Sequence, residues 1–412
     1  MKRILAAVLF LLYPSVLFYR DITSIDLIGH QWFYISVVNM LSFFYLLYFK
    51  KNGLISDFKL KDNKTFFLTY ILFIIVAIPS FFTALNPSLV VVEFFRILNT
   101  FFAIFFLTNI LSDHFNEIKQ YLFIGIVILL AIENLEIIIS IKNKFKSGGF
   151  VLRDKAYQGL TGNINIAAFS ILIKIPILYY LYSNRKSLLE NLIYLLILAL
   201  SLISIYFIQS RASFLALIIV FLGILIFEFK KLNLKKSSFL GVIAFLFLFL
   251  SLTTKGINNT SIIDRFSNLN QDESANLRLR YYTNGINHII EHPFYGCGLG
   301  NWKIQSIAYE SKVLKNYQVS YHMHNDFLQF GAELGLFGMV FYVSIFLILI
   351  LKLFKIYLKS KETLPFILGL SLLVYITDAM FNFPFERTIS QSMFIVFSSM
   401  ILAQNFTNEK RD

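Results

Sequence analysis

Apolar runs long enough to cross a bilayer recur along the whole of this 412-residue chain and leave room for little else. A helix needs about 20 predominantly apolar residues to span ~30 Å of hydrocarbon. Such runs fall at 4–19, 31–49, 66–84, 88–111, 120–141 and 164–184. They continue at 191–208, 212–228, 238–253, 337–357, 364–382 and 389–406. Composition agrees, with 57% of residues hydrophobic and only 15% charged, where an ordinary soluble domain is about a quarter charged. A soluble globular fold is excluded. The sequence predicts an all-α, polytopic bundle of about 12 transmembrane helices, a single integral membrane domain over 1–412.

The loops orient the bundle. Basic residues cluster at Lys2 and Arg3, at Lys50, Lys51, Lys59, Lys61 and Lys64, and at Arg185 and Lys186. Further clusters are Lys230, Lys231, Lys235 and Lys236, then Lys352, Lys355, Lys359 and Lys361, then Lys410 and Arg411. With both termini cytoplasmic, every one of these clusters falls on the cytoplasmic side, as the positive-inside bias requires. The formal charge of +13 is therefore mostly topology and does not point to nucleic acid. The apolar run after Met1-Lys2-Arg3 has no small-residue cleavage site behind it and reads as a retained first helix. The lone cysteine, Cys297, can form no intrachain disulfide and no thiolate metal site.

Two outer segments are too long to be turns, 142–163 and 254–336, and loops of that length are generally functional. The second is expected to be partly helical. Leu277 to Ile290 sets Leu279, Tyr282, Ile286 and Ile289 along one stripe, suited to the membrane surface or to capping the bundle. It ends in the densest constellation of the chain, Tyr321-His322-Met323-His324-Asn325-Asp326, continuing to Gln329, Glu333, Gly335 and Gly338. Alternating His-x-His-x-Asp could suggest zinc, but no further ligand follows nearby. A neutral imidazole at an interface is also a suitable general base near pH 7. These residues alone leave a catalytic pair and a surface loop bonded to headgroups as equal readings.

Upstream, Arg278-Leu-Arg280-Tyr-Tyr282 leads to His292-Pro293, then Gly296, Gly298 and Gly300. Alternate glycines with no strand before them read as a tight turn, with His292-Pro293 as the helix stop. The arginines carry the fork-like donors that match a phosphate. Arg211 lies in the very short outer turn Gln209-Ser210-Arg211-Ala212, where the orientation bias disfavours a cation. Its position there points to function rather than to snorkelling. Within the helices, Glu93, Arg96, Glu133, Glu136, Lys174 and Asp378 read as paired structural charges, Glu93 with Arg96 and Lys174 with Glu133 or Glu136.

These motifs together resemble the O-antigen ligase and O-antigen polymerase superfamily, polytopic glycosyltransferases of the bacterial inner membrane. The matching residues run from Arg278 through His292-Pro293, Gly296, Gly298 and Gly300 to His324-Asn325, Leu328-Gln329, Glu333, Gly335 and Gly338. Gly159, Gly162, Asn163, Asn165 and Ala167, with Ser210-Arg211, fit in the same order. Ala212 and Tyr282 depart from the family, which more often has Gly and Trp there; neither change removes a charge.

The resemblance implies a glycan donor on an undecaprenyl pyrophosphate carrier, an active site facing the periplasm and no cofactor or metal. It implies His324 as the catalytic residue and Arg211 and Arg278 as pyrophosphate-binding residues. Arg280 is an added candidate of this sequence, and His322, Asn325 and Glu333 are candidate supporting residues. The expected activity is that of an O-antigen ligase acting on a lipid A–core hydroxyl. The alternative is a repeat-unit polymerase with the same donor; a protein O-glycosyl ligase and a lipid-linked glycan flippase stand behind it. The long outer loop and the absence of two-half symmetry count against the flippase.

Overall fold

The computed structural model describes residues 2–19, 26–51, 61–148, 151–184, 187–231, 239–244, 273–311 and 321–404. Among these residues the chain is built of helices and short 3-10 turns, with no strand. Nine spans are long and apolar enough to cross a membrane. They are formed by α2 (Leu27–Lys51), α3 (Lys64–Ala77) with α4 (Ser80–Thr83), α5 (Pro87–Ser112), and α6 (Phe115–Gly148). Then come α7 (Ile164–Leu172) with α8 (Ile175–Ser183), α9 (Leu188–Ile208), α10 (Arg211–Lys231), α13 (Asp326–Ser360) and α14 (Thr363–Phe381). Between them, α11 (Glu273–Glu291) and α12 (Trp302–Glu310) form the helical part of the long outer segment.

The expected count of twelve is not reached among the described residues. The first expected crossing is an 11-residue helix, α1 (Lys2–Leu12), followed by a 3-10 turn, Pro14–Phe18. Pro14 lacks the N–H that would continue the helix. The last is the 16-residue α15 (Thr388–Ala403), whose every residue is buried, so nothing ties its length to a lipid thickness. The run at 238–253 lies, apart from 239–244, outside the described residues, as do Lys59, Arg185, Lys186, Lys235, Lys236, Lys410 and Arg411 of the basic clusters.

The expected stripe on α11 is rotated. Leu279, Ile286 and Ile290 are exposed, whereas Tyr281, His288 and Ile289 are buried and Gly285 lies over buried Met323. The packed face is thus set by Tyr281, Gly285 and His288, because only the glycine lets the helix close on the Met323 side chain, 2.5 Å from where a Cβ would stand.

Of the six intramembrane charges, Glu93 pairs with Arg96 and Glu133 with Lys174, whereas Glu136 is exposed and Asp378 accepts from the Asn382 amide at 2.7 Å. Lys174 Nζ lies 2.7 Å from Glu133 Oε2 and also donates to the Ser170 carbonyl at 2.7 Å. That carbonyl sits where the α7–α8 span bends; Lys174 N–H turns to Ile171 O at 3.1 Å, and the lysine side chain supplies Ser170 O with a donor instead. Arg96 Nη1 bonds Glu93 at 2.6 Å and also Glu386, far away in sequence, at 2.7 Å.

The feature that places the outer segment is a break in α13. Gly335 has φ 72 and ψ −172, so the helix stops and restarts there. A broken turn leaves backbone groups without helical partners, and buried ones must find others. The turn after α11 supplies them. Cys297 N–H donates to Ala332 O and Gly298 N–H to Glu333 O, both at 2.9 Å, while Leu336 N–H donates to Pro293 O at 2.8 Å. The fit is close on both sides. A Cβ on Gly296 would stand 2.2 Å from Ala332 O, and one on Gly335 2.5 Å from Pro293 O. The glycines thus serve the tight turn expected of them. Asn301 closes the far side, accepting from Asn86 N–H at 2.8 Å and donating to Asn86 O at 3.2 Å, at the start of α5.

Gly335→Ala therefore meets both a clash and a backbone region almost reserved for glycine, which alone costs about 1–3 kcal/mol. It is expected to lower the midpoint of thermal unfolding in detergent by several degrees, and a midpoint equal to wild type would show that the break can reseal.

Candidate functional site

The site forms where α11, the segment 321–325, the start of α13 and the turn 382–387 meet. Asn325 is the N-cap of α13, its side chain accepting from Leu328 N–H at 3.0 Å. Asp326 accepts from Phe385 N–H at 3.0 Å, which ties the α14–α15 turn to the same helix start. Gln329 reaches back to accept from Met323 N–H at 3.2 Å. These bonds fold the His-Met-His segment so that Met323 is fully buried and both histidines reach Phe383. An extended-type alternation of side chains explains why the two histidines are two apart.

His324 is held in a left-handed conformation, φ 57, uncommon for a residue with a side chain. Tyr282 braces it, the phenol donating to His324 O at 3.0 Å with Met380 O at 3.2 Å. Ring packing does the rest. His322 stacks on Phe383 with centroids 4.2 Å apart, and His324 meets the same ring edge-on at 5.1 Å. His324 Nδ1 is buried with no hydrogen-bond partner, which leaves Nε2 as the nitrogen able to meet a substrate.

Both imidazoles are kept neutral. Burial, with the positive charges of Arg278, His322 and Arg387, holds His324 down at about 3. Burial likewise lowers His322 to about 4, against a partial counter-effect from Glu386.

Arg278 stands one helical turn before Tyr282 on α11, so the two share a face. Its charge acts on both Tyr282 and His324. Arg280 is committed elsewhere. Its guanidinium grips Glu310 through Nη2 at 2.6 Å and Nε at 3.3 Å, and Asn284 adds a bond to the same carboxylate at 2.8 Å. That pair fastens α12 to α11.

Arg211 opens α10 directly after Gln209, whose φ of 55 makes the α9–α10 turn tight. Lower down, Phe227 stacks on Phe366 and Gly223 abuts Leu370, so α10 and α14 run antiparallel. The other long outer segment docks here too. Arg153 N–H donates to Phe207 O at 2.8 Å and its guanidinium to Gln209 O at 3.3 Å.

Glu333 lies under the site. It is buried, accepts from Gly300 N–H at 2.8 Å and from Gln329 at 3.3 Å, and so braces the glycine turn. With Glu93, Asp326 and Glu386 it lines a small cavity of about 10 Å³ beside Phe330 and Phe385.

Sequence reasoning missed Arg387 and Phe383. The signal was available: Arg387, like Arg211, is a cation in a short outer turn, and the argument applied to one applies to the other. As for metals, His288, Glu291 and His292 bring one ligand atom each within 4.8 Å of one another, one turn apart on α11. Tyr309 already joins two of them, bonded to His288 Nδ1 at 3.1 Å and donating to Glu291 at 2.7 Å.

Two outcomes follow. Arg280→Gln leaves buried Glu310 without its charge partner, and is expected to destabilise the protein by about 1–3 kcal/mol, read from thermal unfolding. Burial lowers His288 to about 4 as well. The folded chain therefore keeps three imidazoles neutral that the unfolded chain protonates near 6.5. Between those values the unfolded state binds more protons, so stability is complete above pH 6.5 and declines as pH falls toward 4. His322→Gln should flatten that decline in an unfolding series, and an unchanged slope would contradict it.

Residues 196–343, which run from α9 through the break in α13, match the family model described as O-antigen ligase. No curated protein matches the chain.

Proposed function

Through residues 196–343 the chain belongs to the O-antigen ligase superfamily, and on that premise we propose that it is a glycan transferase using a lipid pyrophosphate-linked donor. The observation that carries the reading is the convergence of Arg278 and a neutral, strained His324 at one end of the bundle. The donor is a glycan on undecaprenyl pyrophosphate, and the acceptor a hydroxyl of lipid A–core, on the periplasmic face of the bacterial inner membrane. In this reading both termini are cytoplasmic.

The chemistry assigns each group a task. The bond from the anomeric carbon to the pyrophosphate oxygen breaks, and a bond from the same carbon to the acceptor oxygen forms. The acceptor proton passes to His324 Nε2, and the electrons of the broken bond leave on the pyrophosphate. Arg278 and Arg211 stabilise that developing negative charge from fixed positions, which is where such donors act most strongly. His322, stacked beside His324 on Phe383, orients the pair. Asn325 and Glu333 are positioning residues, one through the helix cap and one through the glycine turn. Arg280 acts through Glu310 and not on the substrate. Two guanidinium groups replace the divalent cation that other pyrophosphate-handling transferases employ, so we propose a metal-independent reaction.

The test is a deletion strain complemented with wild type, His324→Ala or Arg278→Ala. Loss of the gene should leave carrier-linked long glycans and bare lipid A–core on a lipopolysaccharide gel. Wild type should restore the ladder. Each variant should reach normal membrane levels yet fall at least about 100-fold in transfer, the usual scale for a lost acid–base group or oxyanion donor. Core bearing a single repeat would make the protein a polymerase. An unchanged ladder would sink both readings. Transfer by purified protein should persist in EDTA.

A further inference from the structure

Among the described residues the Arg387 side chain forms no salt bridge and no hydrogen bond, although the charge of Glu386 acts on it. Arg387 caps the start of α15, directly after the 3-10 turn Pro384–Glu386, and is partly buried. Its guanidinium lies over the Phe383 ring, 4.9 Å from the centroid. The Nε atom is buried and has no hydrogen-bond partner. The nearest acid in sequence, Glu386, forms its salt bridge with Arg96 instead, at 2.7 Å. Arg96 in turn holds Glu93 at 2.6 Å, so that network is closed without Arg387.

An unpaired guanidinium withdrawn from water is expensive, and folds seldom keep one unless a partner arrives from outside. The surroundings say where the partner would sit. Phe383 touches Arg387, His322 and His324 together, and the charge of Arg387 depresses both imidazoles. Arg278 acts on His324 as well. His324 thus stands between the fields of two arginines from different elements, α11 and the α14–α15 turn.

We infer that Arg387, held over the ring of Phe383 beside His324, forms an anion-binding subsite that takes a phosphoryl or carboxylate group of a substrate. This rests on the transferase reading only for the identity of that substrate. Stacking on Phe383 fixes the plane of the guanidinium, so its remaining N–H groups present a fork rather than a diffuse charge. Two sources offer such an anion: the pyrophosphate of the donor and an acidic group on the acceptor glycan.

The test uses the full chain in detergent, with Arg387→Gln and Arg387→Lys, and two probes, inorganic pyrophosphate and glucuronate, titrated calorimetrically. Loss of a charge-assisted fork is expected to weaken binding by about 10- to 100-fold in Arg387→Gln, with Arg387→Lys intermediate. If only pyrophosphate is affected, the subsite serves the donor; if only glucuronate, the acceptor. Unliganded unfolding midpoints equal to wild type show that the variants are folded, and should Arg387→Gln fail to fold, the lysine variant, which keeps the charge and loses the fork, decides. Wild-type affinity for both probes in the folded variants would overturn the inference. A wild-type protein that binds pyrophosphate but transfers no glycan would overturn the transferase reading and leave the subsite standing.

Discussion

The structure hangs on one interrupted helix. At Gly335, α13 gives up its own hydrogen bonds, and the turn after α11 takes them over through Cys297, Gly298 and Leu336. Inside a bilayer such a break is tolerated only where protein re-satisfies the freed groups. Here the repair also fixes the outer segment, because the same turn is pinned to α5 through Asn301 and Asn86 and to Glu333 through Gly300. From that anchor α11 runs back over Met323 and delivers Arg278 and Tyr282 to His324. Rigid backbone contacts thus position groups that sit on what would otherwise be a loop.

The polar interior follows from the same constraint. Glu333, Glu93 and Glu386 are too many acids for a membrane interior, and Arg96 joins two of them across α5 and the α14–α15 turn. This ties the floor of the site to the start of α15. Glu386 thereby spends its salt bridge on Arg96 and not on Arg387, its chain neighbour, which lies over Phe383 beside the histidines.

Much of this was legible in the sequence, and the rest was hidden for physical reasons. Long apolar runs betray themselves by composition, so nine spans appear where expected among the described residues. The pairings Lys174–Glu133 and Glu93–Arg96 were foreseeable from spacing and cost. The His324 and Arg278 elements announced themselves as a motif. What periodicity cannot show is which helix face wins when both carry apolar residues. Leu279 and Ile286 are as hydrophobic as Tyr281, and Gly285 decided the matter by admitting Met323. Nor can it show that Arg280 spends its donors on Glu310, thirty residues on, or that Arg96 reaches Glu386. Such long-range pairs depend on packing that no local pattern encodes.

The arrangement around Phe383 also has a kinetic sense. Burial first, and then the fields of Arg278 and Arg387, make His324 a poor proton acceptor. An anion lodged between the two guanidinium groups cancels part of that field, and the imidazole gains basicity at the moment the anion arrives. In the proposed reaction the imidazole is therefore a stronger base while the leaving group is in place. Coupling of this kind imposes an order on events: an acceptor, or a stray water, meeting the site before the donor finds no effective base.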